Sequence, residues 1–246
     1  MFFVGLLFYS LSINLHSEIF PDLDGSFSWA KGFSDTTTIN WLVTCEVIPI
    51  IFENPTNKMN LRFAVRSFVE DDPKGVIWQP NFLQYDIEIK ASHRLNKTTL
   101  FSGIWHQCRH NVDRWDLTTE SWEYYYICIN QELSFIVLSS MWGAYGGNHK
   151  ASRNWSLYSQ IYSNIPIFKK SKIFLRPSYT VEVTSAYERN NLSHLQELSI
   201  SYIPEKMELG LFGSYNSKFE LHDCDSRKTK YGLLGLRFKK GSNLFF

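Results

Sequence analysis

In IWHQCRHNVD, residues 104–113, His106, Cys108 and His110 fall at every second position. Alternate residues of an extended chain share one face, with Cα atoms roughly 6.6 Å apart. A strand here would therefore present imidazole, thiol and imidazole in a row. Two chemistries use such a row. A histidine beside a cysteine can take the thiol proton and leave a thiolate able to attack an ester. Two of the three side chains, with Asp113 nearby, could share a zinc-type ion, although three ligands from one strand strain the geometry and a fourth must come from elsewhere. The inert alternative is a polar strand end, which His, Arg, Asn and Asp populate without reacting.

Which of these applies depends on the surface that carries the row. In 60–69, Leu61, Phe63, Val65 and Val69 oppose Asn60, Arg62, Ala64 and Arg66. In 83–90, Leu83, Tyr85, Ile87 and Ile89 oppose Gln84, Asp86, Glu88 and Lys90. The run 175–188 sets Leu175, Tyr179, Val181, Val183 and Tyr187 against Arg176, Ser178, Thr180, Glu182, Thr184 and Glu188. In 207–216, Met207, Leu209, Leu211 and Tyr215 face away from Glu208, Gly210, Ser214 and Asn216, with Phe212 the exception. Such alternation specifies two-faced strands. Turn clusters separate them, as in ENPTNK at 53–58 and EDDPKG at 70–75. The pattern predicts about ten to twelve antiparallel strands in up-and-down order and no helix. GAYGG at 143–147 precedes no helical pattern and reads as a tight turn rather than a phosphate loop.

Two architectures share that pattern. A secreted soluble β module would turn its apolar faces inward, whereas a membrane barrel turns them to lipid and lines its interior with polar groups. Strands of ten to fourteen residues suit a tilted bilayer crossing. Trp and Tyr near strand ends, at Trp41, Trp78, Trp105, Trp122, Tyr124, Trp142, Trp155, Tyr202 and Tyr215, suit interfacial girdles. The expected fold is thus an all-β, antiparallel, up-and-down transmembrane β-barrel in the outer membrane. Its interior would carry Arg62, Arg66, Asp86, Glu88, Arg176, Glu182 and Glu188. These are candidates for contacting a small solute in a binding or narrow-pore role, and ion pairing among them is the commoner fate of such groups.

Composition agrees with this class. The 25 basic residues balance 24 acidic ones, so no net field favours nucleic acid. Cys45, Cys108, Cys128 and Cys224 form no C-x-x-C pair, leaving incidental thiols or one or two bridges. No residue pattern demands a cofactor. The start, MFFVGLLFYSLSINLHSE, is apolar, then polar, and too short for a comfortable membrane helix. It predicts a signal peptide over 1–17 and a single barrel domain over 18–246. Beyond Glu18, no uncharged apolar stretch approaches the length of a helical span. The expected partners are outer-membrane lipid and small solutes, with oligomeric state left open.

The chain ends NLFF after an alternating strand. This resembles the C-terminal signature of bacterial outer-membrane β-barrel proteins, which close on an amphipathic strand with a terminal aromatic. HQC at 106–108 and SWE at 121–123 are locally similar to outer membrane phospholipase A, a 12-stranded, calcium-dependent barrel with a His-x-Ser pair and an asparagine on the neighbouring strand. The resemblance implies His106 as base, Cys108 in place of the nucleophilic serine and Glu123 in place of the orienting asparagine. Calcium would be a cofactor only on this reading. The resemblance also implies that the row faces lipid. Strand parity set by Trp105 as an interfacial residue implies the reverse: Phe101, Gly103 and Trp105 outward, and Ser102, Ile104, His106, Cys108 and His110 inward.

Overall fold

The computed structural model describes residues 23–33, 39–70, 79–111, 120–149, 153–168, 172–186, 189–204, 207–218 and 229–240. The expected signal segment, the NLFF tail, Trp78, Asp113, Glu188 and Cys224 lie outside them. Strands account for nearly all of the described chain: β1 (Leu23–Phe33), β2 (Ile39–Glu53), β3 (Asn57–Glu70), β4 (Gln79–Leu95), β5 (Thr98–Asn111), β6 (Glu120–Leu133), β7 (Ile136–His149), β8 (Arg153–Ser163), β9 (Ile165–Pro166), β10 (Ile173–Ala186), β11 (Arg189–Tyr202), β12 (Met207–Lys218) and β13 (Thr229–Lys240). Except for β8 and β9, each pairs antiparallel with its sequence neighbours, and β1 pairs with β13 from Gly25↔Lys240 to Phe33↔Gly232, which closes the sheet. β8 and β9 flank Asn164 and both pair with β10, so they form one stave. The result is a closed barrel of twelve staves without helices among the described residues. Closure leaves no unpaired sheet edge, the condition for a β-structure to cross a bilayer.

At one end the staves are joined by short turns. Asn54 Oδ1 accepts hydrogen bonds from the backbone N–H groups of Thr56 (3.0 Å) and Asn57 (2.7 Å), a side-chain-closed turn. Asn96 and Ser134 turn the β4–β5 and β6–β7 hairpins at φ of 54° and 56°, where asparagine carries little strain.

The alternation sorts residues by solvent. Ile87, Ile89, Ile104, Ile127, Ile129, Leu198, Leu209, Leu211, Leu234 and Leu236 all point outward and are exposed, Ile127 at 58%. Asp86 and Glu208 point inward and are 1% and 0% exposed. A water-soluble protein would reverse this arrangement, because each outward leucine or isoleucine would leave roughly 2 kcal/mol of burial unrealised. The inverted pattern excludes a soluble module and is that of a membrane-spanning barrel.

The interior is filled. Arg62 Nε donates to Glu46 Oε1 at 2.6 Å and Arg62 Nη1 to Glu88 Oε2 at 3.3 Å. Arg66 Nη2 lies 3.3 Å from Asp86 Oδ2. Arg176 Nη1 donates to both oxygens of Glu208 at 3.1 Å, and Ser201 Oγ to Glu208 Oε1 at 2.6 Å. Arg237 grips Glu197 with two bonds of 2.6 and 2.7 Å. Beside the Arg62 network stands an aromatic stack of Tyr124, Tyr126 and Tyr145, with Tyr126 Oη hydrogen-bonded to Glu88 Oε1. Phe212, the exception to the alternation in 207–216, sits inside beneath the Arg237 guanidinium, 4.4 Å from its ring centre. GAYGG is not a turn: it lies within β7, and Gly143 is there because a Cβ would come within 2.5 Å of the Tyr124 ring.

Candidate active site on the outer face

β5 is held between β4 and β6, and the clean alternation of β4 fixes its parity. The register pairs Ile87 with His106, Tyr85 with Cys108, Asp86 with Gln107 and Glu88 with Trp105. Directly paired residues share a face, so His106 and Cys108 point outward with Ile87 and Tyr85, while Trp105 and Gln107 point inward with Glu88 and Asp86. The inward placement of the row is thereby corrected. The error came from reading Trp105 as an interfacial aromatic. Trp105 instead packs edge-on against buried Tyr124, with the Arg62 guanidinium 5.8 Å from its ring centre. Trp122 and Tyr124 are likewise buried inside rather than in a girdle, whereas Trp142, Tyr202 and Tyr215 do face outward.

Glu123 on β6 lies directly opposite His106 in the ladder, and its Oε1 is 3.2 Å from His106 Nδ1. The two side chains are 37% and 34% exposed. In the tautomer protonated at Nδ1, the imidazole donates to the carboxylate and keeps the Nε2 lone pair for another proton. Cys108 stands two residues along the same face, partly exposed, with a free thiol. No hydrogen bond joins Sγ to the imidazole in this structure. Catalytic hydrogen bonds commonly tighten only with substrate in place. His110 continues the row and packs edge-on against Tyr85, ring centres 5.5 Å apart. All three residues lie toward the barrel end opposite the short turns.

The strand is anchored from within. Gln107, between His106 and Cys108, donates Nε2–H to Asp86 Oδ1 at 2.8 Å, and Asp86 is also bonded by Gln84 at 3.2 Å. Glu46 went unnoticed in the sequence, yet strand parity marks it, since it falls with Asn40 and Thr44 opposite Trp41, Val43 and Val47; Gln107 shares its parity with Phe101 and Trp105, so parity alone gave no sign that it points inward.

Among the described residues, no three of the His, Cys, Asp and Glu side chains gather as ligands of one metal ion. Calcium needs six to eight oxygen ligands. Around His106 the described side chains offer the Glu123 carboxylate and, opposite Cys108, the Ser121 hydroxyl. That set does not fit a calcium cage.

Of the lumen candidates, Arg62, Arg66, Asp86, Glu88 and Arg176 line the interior as ion-paired groups. Glu182 accepts there from Thr184 Oγ1 at 3.3 Å and Ser193 Oγ at 3.4 Å.

No protein-family model matches the chain, and no curated protein matches it in sequence. Solved structures do. Outer membrane phospholipase A from Escherichia coli superimposes with a TM-score of 0.57 at 13% identity, covering 91% of each chain. The Salmonella typhi outer membrane phospholipase dimer with bound calcium gives 0.59 at 10% identity, again over 91% of each chain. The NanC porin gives 0.54 at 6% identity, over 89% of this chain and all of that one. With its closed antiparallel sheet, outward apolar belt and charged interior, the chain is a membrane-spanning β-barrel with the fold of these outer-membrane proteins.

Proposed function

We propose that the barrel is a scaffold for lipid-ester hydrolysis on its outer face, with Cys108 as nucleophile, His106 as base and Glu123 as the group that orients the imidazole. The observation that carries this reading is the His106–Glu123 hydrogen bond on the lipid side, with Cys108 one strand repeat away. A triad inside the barrel would have no access to a bilayer ester. Here the ester bonds of a phospholipid lie at the level where an apolar belt ends, which is where the row sits.

The chemistry balances without a cofactor. His106 Nε2 takes the Cys108 proton as Sγ attacks the acyl carbonyl carbon. The tetrahedral intermediate collapses, its C–O bond breaks, and the lysolipid leaves with the proton from the imidazolium. Water, deprotonated by the same imidazole, then attacks the thioester. Fatty acid and the free thiol result. Glu123 holds the tautomer and stabilises the imidazolium at each transfer.

The test is release of fatty acid from phosphatidylethanolamine vesicles by the folded barrel. Cys108→Ala should abolish release, and His106→Ala should lower it about 10²–10⁴-fold, the usual worth of a general base. A fully active Cys108→Ala/His106→Ala double variant would end the proposal. The mixed-charge interior supports a second reading, a structural or solute-binding barrel with at most a narrow pore. Solute binding that is lost in Arg66→Ala while Cys108→Ala retains it would favour that reading.

A further inference from the structure

The outward faces of the strands are apolar with few exceptions, and one exception away from the β5–β6 seam is a cation. Lys31 on β1 pairs directly with Trp41 of β2 and with Leu234 of β13. Leu234 belongs to the exposed apolar belt, and directly paired residues share a face, so Lys31 points toward lipid. Among the described outward side chains of the strands, the only other lysine or arginine is Lys240, the last residue of β13. The Lys31 ammonium sits over the Trp41 indole, with Nζ 4.7 Å from the ring centre. Trp41 in turn stacks on Trp29, the ring centres 4.8 Å apart and the planes within 2° of parallel. No carboxylate or hydroxyl of any described residue pairs with Lys31.

Depth and charge together define the partner. Lys31 is two residues from the end of β1, and Trp41 two from the start of β2, at the barrel end opposite the short turns. Tryptophans near a strand end mark the membrane interface. From that level the flexible stem of a lysine carries its charge out of the hydrocarbon and toward the headgroups, where the abundant anion is lipid phosphate. A lipid-facing cation with no partner in the protein takes one from its surroundings. The indole contact uses none of the three N–H donors, and it holds the ammonium in place rather than leaving the stem free to sweep. We propose that Lys31, seated on the Trp41–Trp29 stack, binds the phosphate of an anionic membrane lipid whose acyl chains run down over Trp29, Val43 and Leu236, which share the outward face. This site is separate from the β5–β6 seam and stands whether or not that seam hydrolyses esters.

The test is native mass spectrometry of the folded barrel in dodecylmaltoside. The probe is dioleoyl phosphatidylglycerol, and its uncharged match is dioleoylglycerol, which has the same chains and no phosphate. At a low lipid ratio the barrel should retain phosphatidylglycerol several-fold more than dioleoylglycerol. Lys31→Gln should bring retention down to the dioleoylglycerol level, Trp41→Leu should lower it, and Lys31→Arg should keep it. Lys97→Gln, in the short β4–β5 turn at the other end of the barrel, should change nothing. Excess inorganic phosphate should leave the lipid in place. Equal retention of the two lipids by the unsubstituted barrel overturns the proposal without reference to any variant. Retention of phosphatidylglycerol that survives Lys31→Gln also overturns it, as does an equal loss in Lys97→Gln, the mark of unspecific attraction. Displacement by inorganic phosphate overturns it too, by assigning Lys31 to a soluble anion. Each variant is compared only after it shows the boiling-dependent mobility shift of a folded barrel.

Discussion

Glu123 and His106 meet across one ladder rung, where the carboxylate accepts Nδ1–H and stabilises the imidazolium. A glutamine can accept the same bond through its amide oxygen but lacks the charge. Glu123→Gln should therefore lower any hydrolytic rate, and Glu123→Ala, which loses the acceptor as well, should fall with His106→Ala; initial rates on vesicles compare the two. A second residue-scale consequence concerns the buried ion pairs. Glu208 has no contact with solvent, and Arg176 supplies two of its hydrogen bonds. Removing one partner of a buried pair leaves an uncompensated charge and costs about 3–5 kcal/mol, while replacing both by apolar groups is often neutral. Arg176→Met should accordingly lower the temperature at which the barrel loses its folded mobility, and Arg176→Met/Glu208→Leu should restore much of it. An unchanged transition in Arg176→Met would show that Ser201 alone satisfies Glu208.

Strands in this barrel are fixed by which face each residue must show. Ile127, at mid-strand in β6 and 58% exposed, lies where lipid is the solvent. An arginine at the bilayer midplane of a barrel costs about 2–4 kcal/mol. Ile127→Arg should lower the stability of the folded barrel by that amount, read from denaturant refolding into vesicles, and a neutral result would place this strand outside the bilayer. Gly143 marks the opposite constraint. Its missing Cβ admits the Tyr124 ring, so Gly143→Val forces ring or strand to move. Overpacking of that kind costs typically about 1–3 kcal/mol. The turn expected at 143–147 failed for the same reason: glycines usually signal a bend, but here they make room inside a strand for a buried aromatic on the next one. The girdle reading of Trp105, Trp122 and Tyr124 failed likewise, since a lone sequence does not reveal whether an aromatic near a strand end faces headgroups or fills the lumen.

At the scale of the whole molecule the sheet closes on itself, and the Arg62–Glu46–Glu88–Asp86 network and the tyrosine stack project into the lumen of its twelve staves. Planar-bilayer recordings should show no steady conductance of the size of an open porin; a large one would mean the interior plug is absent in the membrane. Alternation in 83–90 and 207–216 and the turn clusters determined two-faced antiparallel strands, because period-two burial is a local property that each strand carries by itself, and strand length favoured lipid over water as the outer solvent. The same local signal marked Arg62, Asp86, Glu88 and Arg176 as interior residues. It could not orient β5, where Leu100, Ile104, Phe101 and Trp105 put apolar groups on both faces. That choice fell to the ladder: pairing with β4 forced Gln107 onto Asp86, turned His106 and Cys108 to lipid, and pairing with β6 set Glu123 opposite the imidazole. Only the closed sheet decides such a question, since register with two neighbours is a long-range contact that no single strand encodes.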